Sequence, residues 1–244
     1  MPDQPTRIPV RDASTVILLR PAPDSDEGFE VYLTRRRPEL VFVGGMHVFP
    51  GGKVDPEDSD PGAVARSEGL SPERAAELLQ EEAMAPARAF AFWVGAVREL
   101  FEEAGVLLAY RGDDIVDLCA PGALEPLEEW RRRLNANEAG IADMLAQEDL
   151  RLALDRLHYV SHWITPVGPP RRFNTHFFLA EMPENQQPCH HEGEVDESLW
   201  IGPRKALAAW AENRIAMIPP TVMSLQTIAA FRSLEDVMKN FPRP

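Results

Sequence analysis

Three carboxylates, Glu99, Glu102 and Glu103, follow an arginine in the run Arg98-Glu99-Leu100-Phe101-Glu102-Glu103-Ala104-Gly105-Val106. On a helix, residues three and four apart are neighbours, so the three acids converge on one face while Val97 and Leu100 turn toward a core. Like charges held so close repel one another. A hard divalent cation between them relieves the repulsion, and Mg²⁺ is bound through carboxylates and water, usually together with substrate phosphates. The competing reading is a solvated acidic face, which is the default for Glu-x-x-Glu-Glu alone.

Two neighbouring features favour the cation. Arg98 stands directly before the first glutamate and can orient it, and Gly105 supplies the positive φ that a helix C-cap needs. Upstream, Phe49-Pro50-Gly51-Gly52-Lys53-Val54-Asp55 reads as a strand end turning through a Gly-Gly loop, where backbone can approach a ligand closely.

Arg-Glu-x-x-Glu-Glu-x-Gly-Val behind a Gly-Gly loop resembles the signature of the Nudix hydrolases, which cleave nucleoside diphosphates linked to another moiety. An uninterrupted box of that family would place a Gly at 84 and a Glu at 90, where this chain has Met84 and Phe90. Its Gly-Gly loop lies far upstream at Gly51 and Gly52, so the box is split by an insertion at about 56–85, and no residue is taken as the family's first glutamate. The split resembles that of one branch, the peroxisomal coenzyme A diphosphatases of animals. The similarity is carried by Met46-His47-Val48-Phe49-Pro50-Gly51-Gly52, by Ala96-Val97-Arg98-Glu99-Leu100-Phe101-Glu102-Glu103-Ala104-Gly105-Val106-Leu107-Leu108 and by Arg172-Phe173-Asn174-Thr175-His176-Phe177-Phe178-Leu179-Ala180.

The resemblance implies an α/β fold, a Nudix α/β/α sandwich with a mixed sheet and helical insertions, as a single domain over 1–244. It implies Mg²⁺ or Mn²⁺ held by Glu99, Glu102 and Glu103, with the carbonyl of Gly52 as a further ligand and Arg98 positioning Glu99. The expected proton acceptor is Glu99, with Glu192 and Glu194 as later-loop candidates. The expected substrate is coenzyme A or an acyl derivative, cut to 3′,5′-adenosine diphosphate and a 4′-phosphopantetheine. ADP-ribose or a reduced dinucleotide is the nearest alternative. A non-catalytic nucleotide-sensing module is a further one, whose mark would be loss of the three glutamates. Dimers are common in the family, so a homodimer is expected too.

Other side chains are candidates for the substrate. Arg35, Arg36 and Arg37 follow a predicted strand, and a guanidinium fork matches phosphate oxygens; Arg35 and Arg37 are taken as substrate-binding together with Arg172, beside Arg171. Three consecutive arginines cannot all face one site. Trp163, Phe173 and Phe177 could stack a base, although strand aromatics more often pack in a core. Cys189-His190-His191-Glu192 lacks the separated ligand pairs of a structural zinc site. His47, His158, His162 and His176 fall in predicted strands and read as structural. No Gly-x-x-x-x-Gly-Lys-Ser/Thr loop is present, which argues against a P-loop kinase or ATPase.

The elements that position these groups follow the pattern of apolar residues. Thr15–Leu19 and Phe29–Thr34 read as strands joined by the turn Pro21–Gly28. Ser71-Pro72-Glu73 starts a helix running to about Met84, with an N-cap and a first-turn proline. A second helix runs from Pro86 to Ala104 with Phe90, Val94, Val97 and Phe101 on its apolar side. Residues from Gly122 to about Arg156 form a helical cap through Trp130, Leu134, Ile141, Leu145, Leu150 and Leu154. Strands then return at Tyr159–Pro166, Thr175–Glu181 and Gly193–Ile201, followed by a helix at Pro203–Glu212 and a last one from Pro220 to about Lys239.

Composition sets the outer limits. Of 244 residues 44% are hydrophobic, enough for a sizeable core. Lys and Arg number 25 against 39 Asp and Glu, a formal charge of −14 that opposes general binding to nucleic acid or an anionic membrane surface. An anionic small-molecule substrate must then meet local arginines or arrive with a metal. Cys119 and Cys189 are too few for a disulfide framework and read as packing residues in a reducing compartment. Met1–Arg7 lacks a signal-peptide apolar run, no stretch suits a membrane span, and the end Asn240–Pro244 is not a Ser-Lys-Leu address, so a cytoplasmic location is expected.

Overall fold

The computed structural model describes residues 8–40, 43–81, 83–189 and 195–244. In chain order its elements are β1 (Val10–Ala22), β2 (Gly28–Arg36), β3 (His47–Val48), β4 (Gly51–Lys53), α1 (Pro61–Ala65), β5 (Ser67–Glu68), α2 (Pro72–Leu79) and α3 (Pro86–Ala104). They continue as β6 (Ala109–Arg111), β7 (Asp114–Ile115), α4 (Leu124–Asn135), α5 (Ile141–Gln147), β8 (Arg151–Ala153), β9 (His158–Ile164), β10 (Arg172–Glu181) and β11 (Val195–Ile201). Helices α6 (Pro203–Ala211), α7 (Pro219–Ile228) and α8 (Leu234–Asn240) complete the chain.

The long β1 organises the main sheet, whose path is β11-β2-β1-β10-β9. It runs parallel to β10 and antiparallel to β2, while β4 pairs with its first half through Ser14 opposite Gly52. The sheet is therefore mixed. Successive side chains of a strand point to opposite faces, and β1 shows the consequence directly. Val16 and Leu18 join one core with Tyr32, Phe178 and the apolar residues of α3, whereas Ile17 and Leu19 join another with Val31, Leu33, Val222, Leu225 and Val237. Helix α3 covers the first face and α6, α7 and α8 the second, giving the expected α/β/α sandwich.

Helix α3 is fixed at both ends by local chemistry. Pro86 occupies the first turn, where its missing N–H costs nothing, and Gly105 closes the other end at φ 67° with its N–H donating to Phe101 O. Phe90, Phe92, Trp93 and Leu100 are fully buried, since the sheet lies on one side and α2 and α4 on the other. Each such side chain contributes about 1.5–3 kcal/mol when removed from water. Arg98 and Glu99 are buried on this same helix, so two charged groups sit where apolar ones belong.

The inserted segment and the cap are not independent. Strand β5 of the first pairs in parallel with β8 of the second, and β8 pairs with β6, making a small sheet ordered β5-β8-β6-β7. Leu78 and Leu79 from α2 and Leu127, Trp130, Met144 and Leu145 from the cap share the core that α3 enters. Two helix boundaries differ from expectation. Helix α2 stops at Leu79, where Gln80 turns left-handed at φ 57°, and the last helix is two, because Ser233 caps α8 by accepting from Asp236 N. Both cysteines are exposed rather than packed in the core.

Candidate active site

All five N–H donors of Arg98 are spent, and together they reach three parts of the split box, the Gly-Gly loop, the inserted turn and the helical glutamates. Nε and Nη2 donate to the two oxygens of Asp58 at 2.8 and 2.9 Å, Nη2 also donates to Lys53 O at 2.7 Å, and Nη1 donates to Glu99 and Glu102 at 3.0 Å each. A planar fork with five fixed donors can do this; a lysine ammonium with three cannot. Asp58 has no exposed surface, and burial pushes its carboxyl up while the Arg98 donors and Asp55 N–H oppose that. Their bidentate geometry favours the ionised pair.

Asp58 was not legible in the sequence as a site residue, because it falls in an acidic stretch that reads as solvated loop. Its signal is the Asp-Pro start at Asp55 and Pro56, which opens a 3-10 turn over Pro56–Ser59 and aims Asp58 inward. Arg131 is the second omission. From α4 it donates to the backbone oxygens of Glu102, Glu103 and Cys189 at 2.9, 3.1 and 2.7 Å, so the cap satisfies carbonyls that the end of α3 leaves open.

The three glutamates are placed differently from one another. Glu99 lies under the Gly-Gly loop so closely that a methyl group on Gly52 would stand 2.5 Å from its Oε2. Glu103 Oε2 accepts from Gly51 N at 3.0 Å, and its Oε1 lies 3.7 Å from Arg36. Burial, opposed by Arg98 and reinforced by Glu103 and Glu102, pushes the Glu99 carboxyl up to about 8; burial raises Glu102 as well. Gly52→Ala is expected to displace the Glu99 carboxylate and to lower turnover at least tenfold in a steady-state assay with the fold retained, as circular dichroism would report.

The structure places the phosphate-gripping candidates on β2 differently from one another. Strand alternation puts Arg36 on the α3 face with Tyr32, whereas Arg35 points the other way. Arg35 forms a bidentate pair with Asp196 on β11 at 2.9 and 2.7 Å, and Arg37 is exposed. Arg172 donates to Thr165 O at 3.0 Å and fastens the β9–β10 hairpin. Phe177 is buried in the opposite core, and Trp163 packs against that core. Glu192 and Glu194, like His190 and His191, lie outside the described residues. Beside Tyr32 opens a cleft of about 640 Å³ lined by Arg20, Tyr32, Gln186, Ser198 and Trp200. The Tyr32 and Trp200 rings lie 5.2 Å apart, with the Arg20 guanidinium 4.5 Å from the Trp200 ring.

Residues 10–228 match the family model described as the NUDT19 Nudix domain. The chain belongs to that Nudix family. Acyl-coenzyme A diphosphatase NUDT19 of Homo sapiens is 32% identical over 89% of this chain, and that of Gallus gallus is 27% identical over 94%. The alignments span 65% and 70% of those two proteins. Among solved structures, the crystal structure of a NUDIX hydrolase from Alicyclobacillus acidocaldarius superposes with a TM-score of 0.78 at 27% identity, covering 96% of this chain and 97% of that one.

Nudix hydrolases generally use a divalent metal, and the donor set of this Nudix domain fits one. Every candidate ligand is an oxygen, which suits a hard cation. Arg98 engages one oxygen of Glu99 and one of Glu102, and the other oxygen of each accepts no hydrogen bond among the described residues. The site also holds more acid than base, with Asp55, Asp58, Glu99, Glu102 and Glu103 gathered around Arg98 and Arg36. A pH test follows. The raised Glu99 pKa means that the metal-free fold binds a proton its unfolded chain releases near pH 4.5, so this contribution to stability is complete at low pH and is lost as pH rises through about 8. Thermal melts without divalent metal are expected to weaken across that window, and added Mg²⁺ to offset the loss most strongly at its alkaline end.

Proposed function

We propose that this protein is a metal-dependent pyrophosphohydrolase that cleaves the diphosphate of coenzyme A or an acyl-coenzyme A. The observation that carries the proposal is the Arg98 hub, which draws the Gly-Gly loop, the inserted Asp58 and the helical glutamates into one carboxylate site despite the split box. The names of the vertebrate relatives support the substrate class, and the adjoining cleft lined by Arg20, Gln186, Ser198 and Trp200 offers polar and aromatic groups to a nucleotide.

Glu99, Glu102 and Glu103, with the Gly52 carbonyl, would hold the cation, which we take to be Mg²⁺ or Mn²⁺. When bound, it neutralises charge on the diphosphate and lowers the pKa of an attacking water. Arg98 positions Glu99 and Glu102 without touching substrate. We assign the general base to Glu99, through the carboxylate oxygen that Arg98 does not engage. Water oxygen then bonds to one phosphorus, its proton passes to a Glu99 oxygen, and the P–O–P bridge breaks toward the other phosphate. The products are 3′,5′-adenosine diphosphate and 4′-phosphopantetheine or its acyl form. Arg36, on the site's face of β2, is the arginine we assign to phosphate.

No described helix is long and apolar enough to cross a membrane, and two free cysteines accord with a reducing, cytoplasmic setting. Light scattering would test for a homodimer. For the substrate, purified protein with Mg²⁺ would be given a mixture of coenzyme A, an acyl-coenzyme A, ADP-ribose, NADH and nucleoside triphosphates, followed by mass spectrometry. Selective formation of 3′,5′-adenosine diphosphate with a phosphopantetheine product is expected. AMP from ADP-ribose or NADH instead would keep the reaction class and overturn the substrate. No product with either Mg²⁺ or Mn²⁺ would favour a nucleotide-sensing module.

A further inference from the structure

Across β1 from the glutamates lies a second group of metal-ligating side chains that the hydrolytic reaction does not use. Glu81, in the link between α2 and α3, places Oε1 at 3.3 Å from His162 Nδ1 on β9 and at 3.3 Å from His176 Nε2 on β10. All three ligand atoms lie within 4.8 Å of one another. The two imidazoles are stacked, with ring centroids 4.4 Å apart and an interplanar angle of 2°, so one ring must turn about its Cβ–Cγ bond for both nitrogens to point at one ion.

Two observations show that hydrogen bonding does not explain this arrangement. Glu81 Oε1 and both nitrogens of His176 are buried, yet none has a hydrogen-bond partner, and His176 is wholly inaccessible. An unmatched buried polar atom costs about 1–3 kcal/mol, and two of the three, Glu81 Oε1 and His176 Nε2, face each other at 3.3 Å, where one ion would satisfy both. The second observation is the tautomer of His162. Asn174 Nδ2 donates to Asp12 Oδ1 at 2.9 Å, and Asp12 is gripped by Arg88 at 2.7 and 2.8 Å, so Asn174 presents its Oδ1 to His162 Nε2. His162 therefore donates from Nε2, and in the neutral ring Nδ1 is the lone-pair nitrogen that faces the Glu81 carboxylate. Lone pair meets lone pair there unless a proton or a metal ion lies between.

We infer that Glu81, His162 and His176 form a binding site for a borderline transition-metal ion of the Zn²⁺ type, separate from the glutamate site on α3. A tetrahedral zinc with bonds of about 2.0–2.1 Å separates neighbouring ligands by about 3.3–3.4 Å, which matches both carboxylate-to-imidazole distances. Two imidazoles and a carboxylate suit zinc better than Mg²⁺, which prefers oxygen alone. The chain from His162 through Asn174 and Asp12 to Arg88 is the outer support that fixes a ligating imidazole in one tautomer. Phe92, whose ring lies 4.3 Å from that of His176, closes the inner wall. Phe92 and Glu99 are two turns apart on α3, about 10 Å, so no single ion serves both sites. An ion here would pin the α2–α3 link to the sheet beside the start of α3.

The test is calorimetric titration of the full chain with Zn²⁺ in excess Mg²⁺, together with the visible spectrum of the Co²⁺ form. One Zn²⁺ per chain is expected, with tetrahedral Co²⁺ bands and a raised melting temperature. Glu81→Gln and His162→Gln, both at half-buried positions, are expected to weaken Zn²⁺ at least tenfold, whereas Glu102→Gln should bind it unchanged. His176→Ala opens a core position and would be read only if its circular dichroism matches wild type. Absence of Zn²⁺ binding, equal binding by Glu81→Gln and His162→Gln, or displacement by Mg²⁺ would each overturn the assignment. Loss of Zn²⁺ in Glu102→Gln would return the ion to the hydrolytic site.

Discussion

Replacing Glu102 with glutamine is expected to lower kcat/KM for acyl-coenzyme A about 10²–10³-fold while leaving the melting temperature close to wild type. The side chain keeps its length, and its amide oxygen can still accept from Arg98 Nη1, which now donates at 3.0 Å. What disappears is one negative oxygen pair in a buried cluster built to meet a cation. The loss should therefore fall on Mg²⁺ affinity and rate together, and raising Mg²⁺ should recover part of it. A variant as active as wild type at limiting Mg²⁺ would remove Glu102 from the metal site.

The second large effect is structural and reaches the same chemistry by another route. Asp58→Ala leaves the Arg98 guanidinium buried without its bidentate partner, and breaking a buried pair from one side costs about 3–5 kcal/mol. For a domain of this size that lowers the melting temperature by about 6–20 °C. Hydrolysis should fall as well, even well below the new transition, because Arg98 is also the donor that orients Glu99 and Glu102. Thermal denaturation beside initial rates at low temperature separates the two losses. Wild-type rates in a folded Asp58→Ala protein would show that the inserted segment does not support the glutamates.

These two residues mark the difference between what sequence exposes and what it hides. Glu102 was readable because its spacing from Glu99 and Glu103 is a local, helical fact, as were the Pro86 start and Gly105 end of α3. Asp58 was hidden because its importance comes from a contact forty positions away, and an acidic loop looks the same whether it faces water or a buried arginine. The arginines of β2 show an intermediate case. Their strand was predicted, yet which of Arg35, Arg36 and Arg37 faces α3 depends on register, and alternation selects Arg36.

The fold divides along the same line. The α/β/α sandwich follows from the alternation on β1 and β2 and from the apolar period of α3. The small sheet β5-β8-β6-β7 was not legible, since strands of two or three residues carry no periodicity and are created by pairing between distant segments. Strand β1 extends beyond the expected Thr15–Leu19 because β10 pairs with it as far out as Val10, through polar residues that local propensity would leave as loop. The split of the last helix did have a local signal, Ser233 followed by acidic residues, which its apolar pattern concealed.

The most direct test of the account is the time course of acyl-coenzyme A hydrolysis by wild type, Glu99→Gln and Glu102→Gln across a Mg²⁺ titration, with both products quantified by mass spectrometry. Wild type is predicted to release 3′,5′-adenosine diphosphate and the acyl-phosphopantetheine in equal amounts, with no turnover after chelation and a severe loss in both variants. Hydrolysis that persists after chelation, or that proceeds at the wild-type rate in either variant, would contradict a carboxylate-held metal site at the heart of this protein.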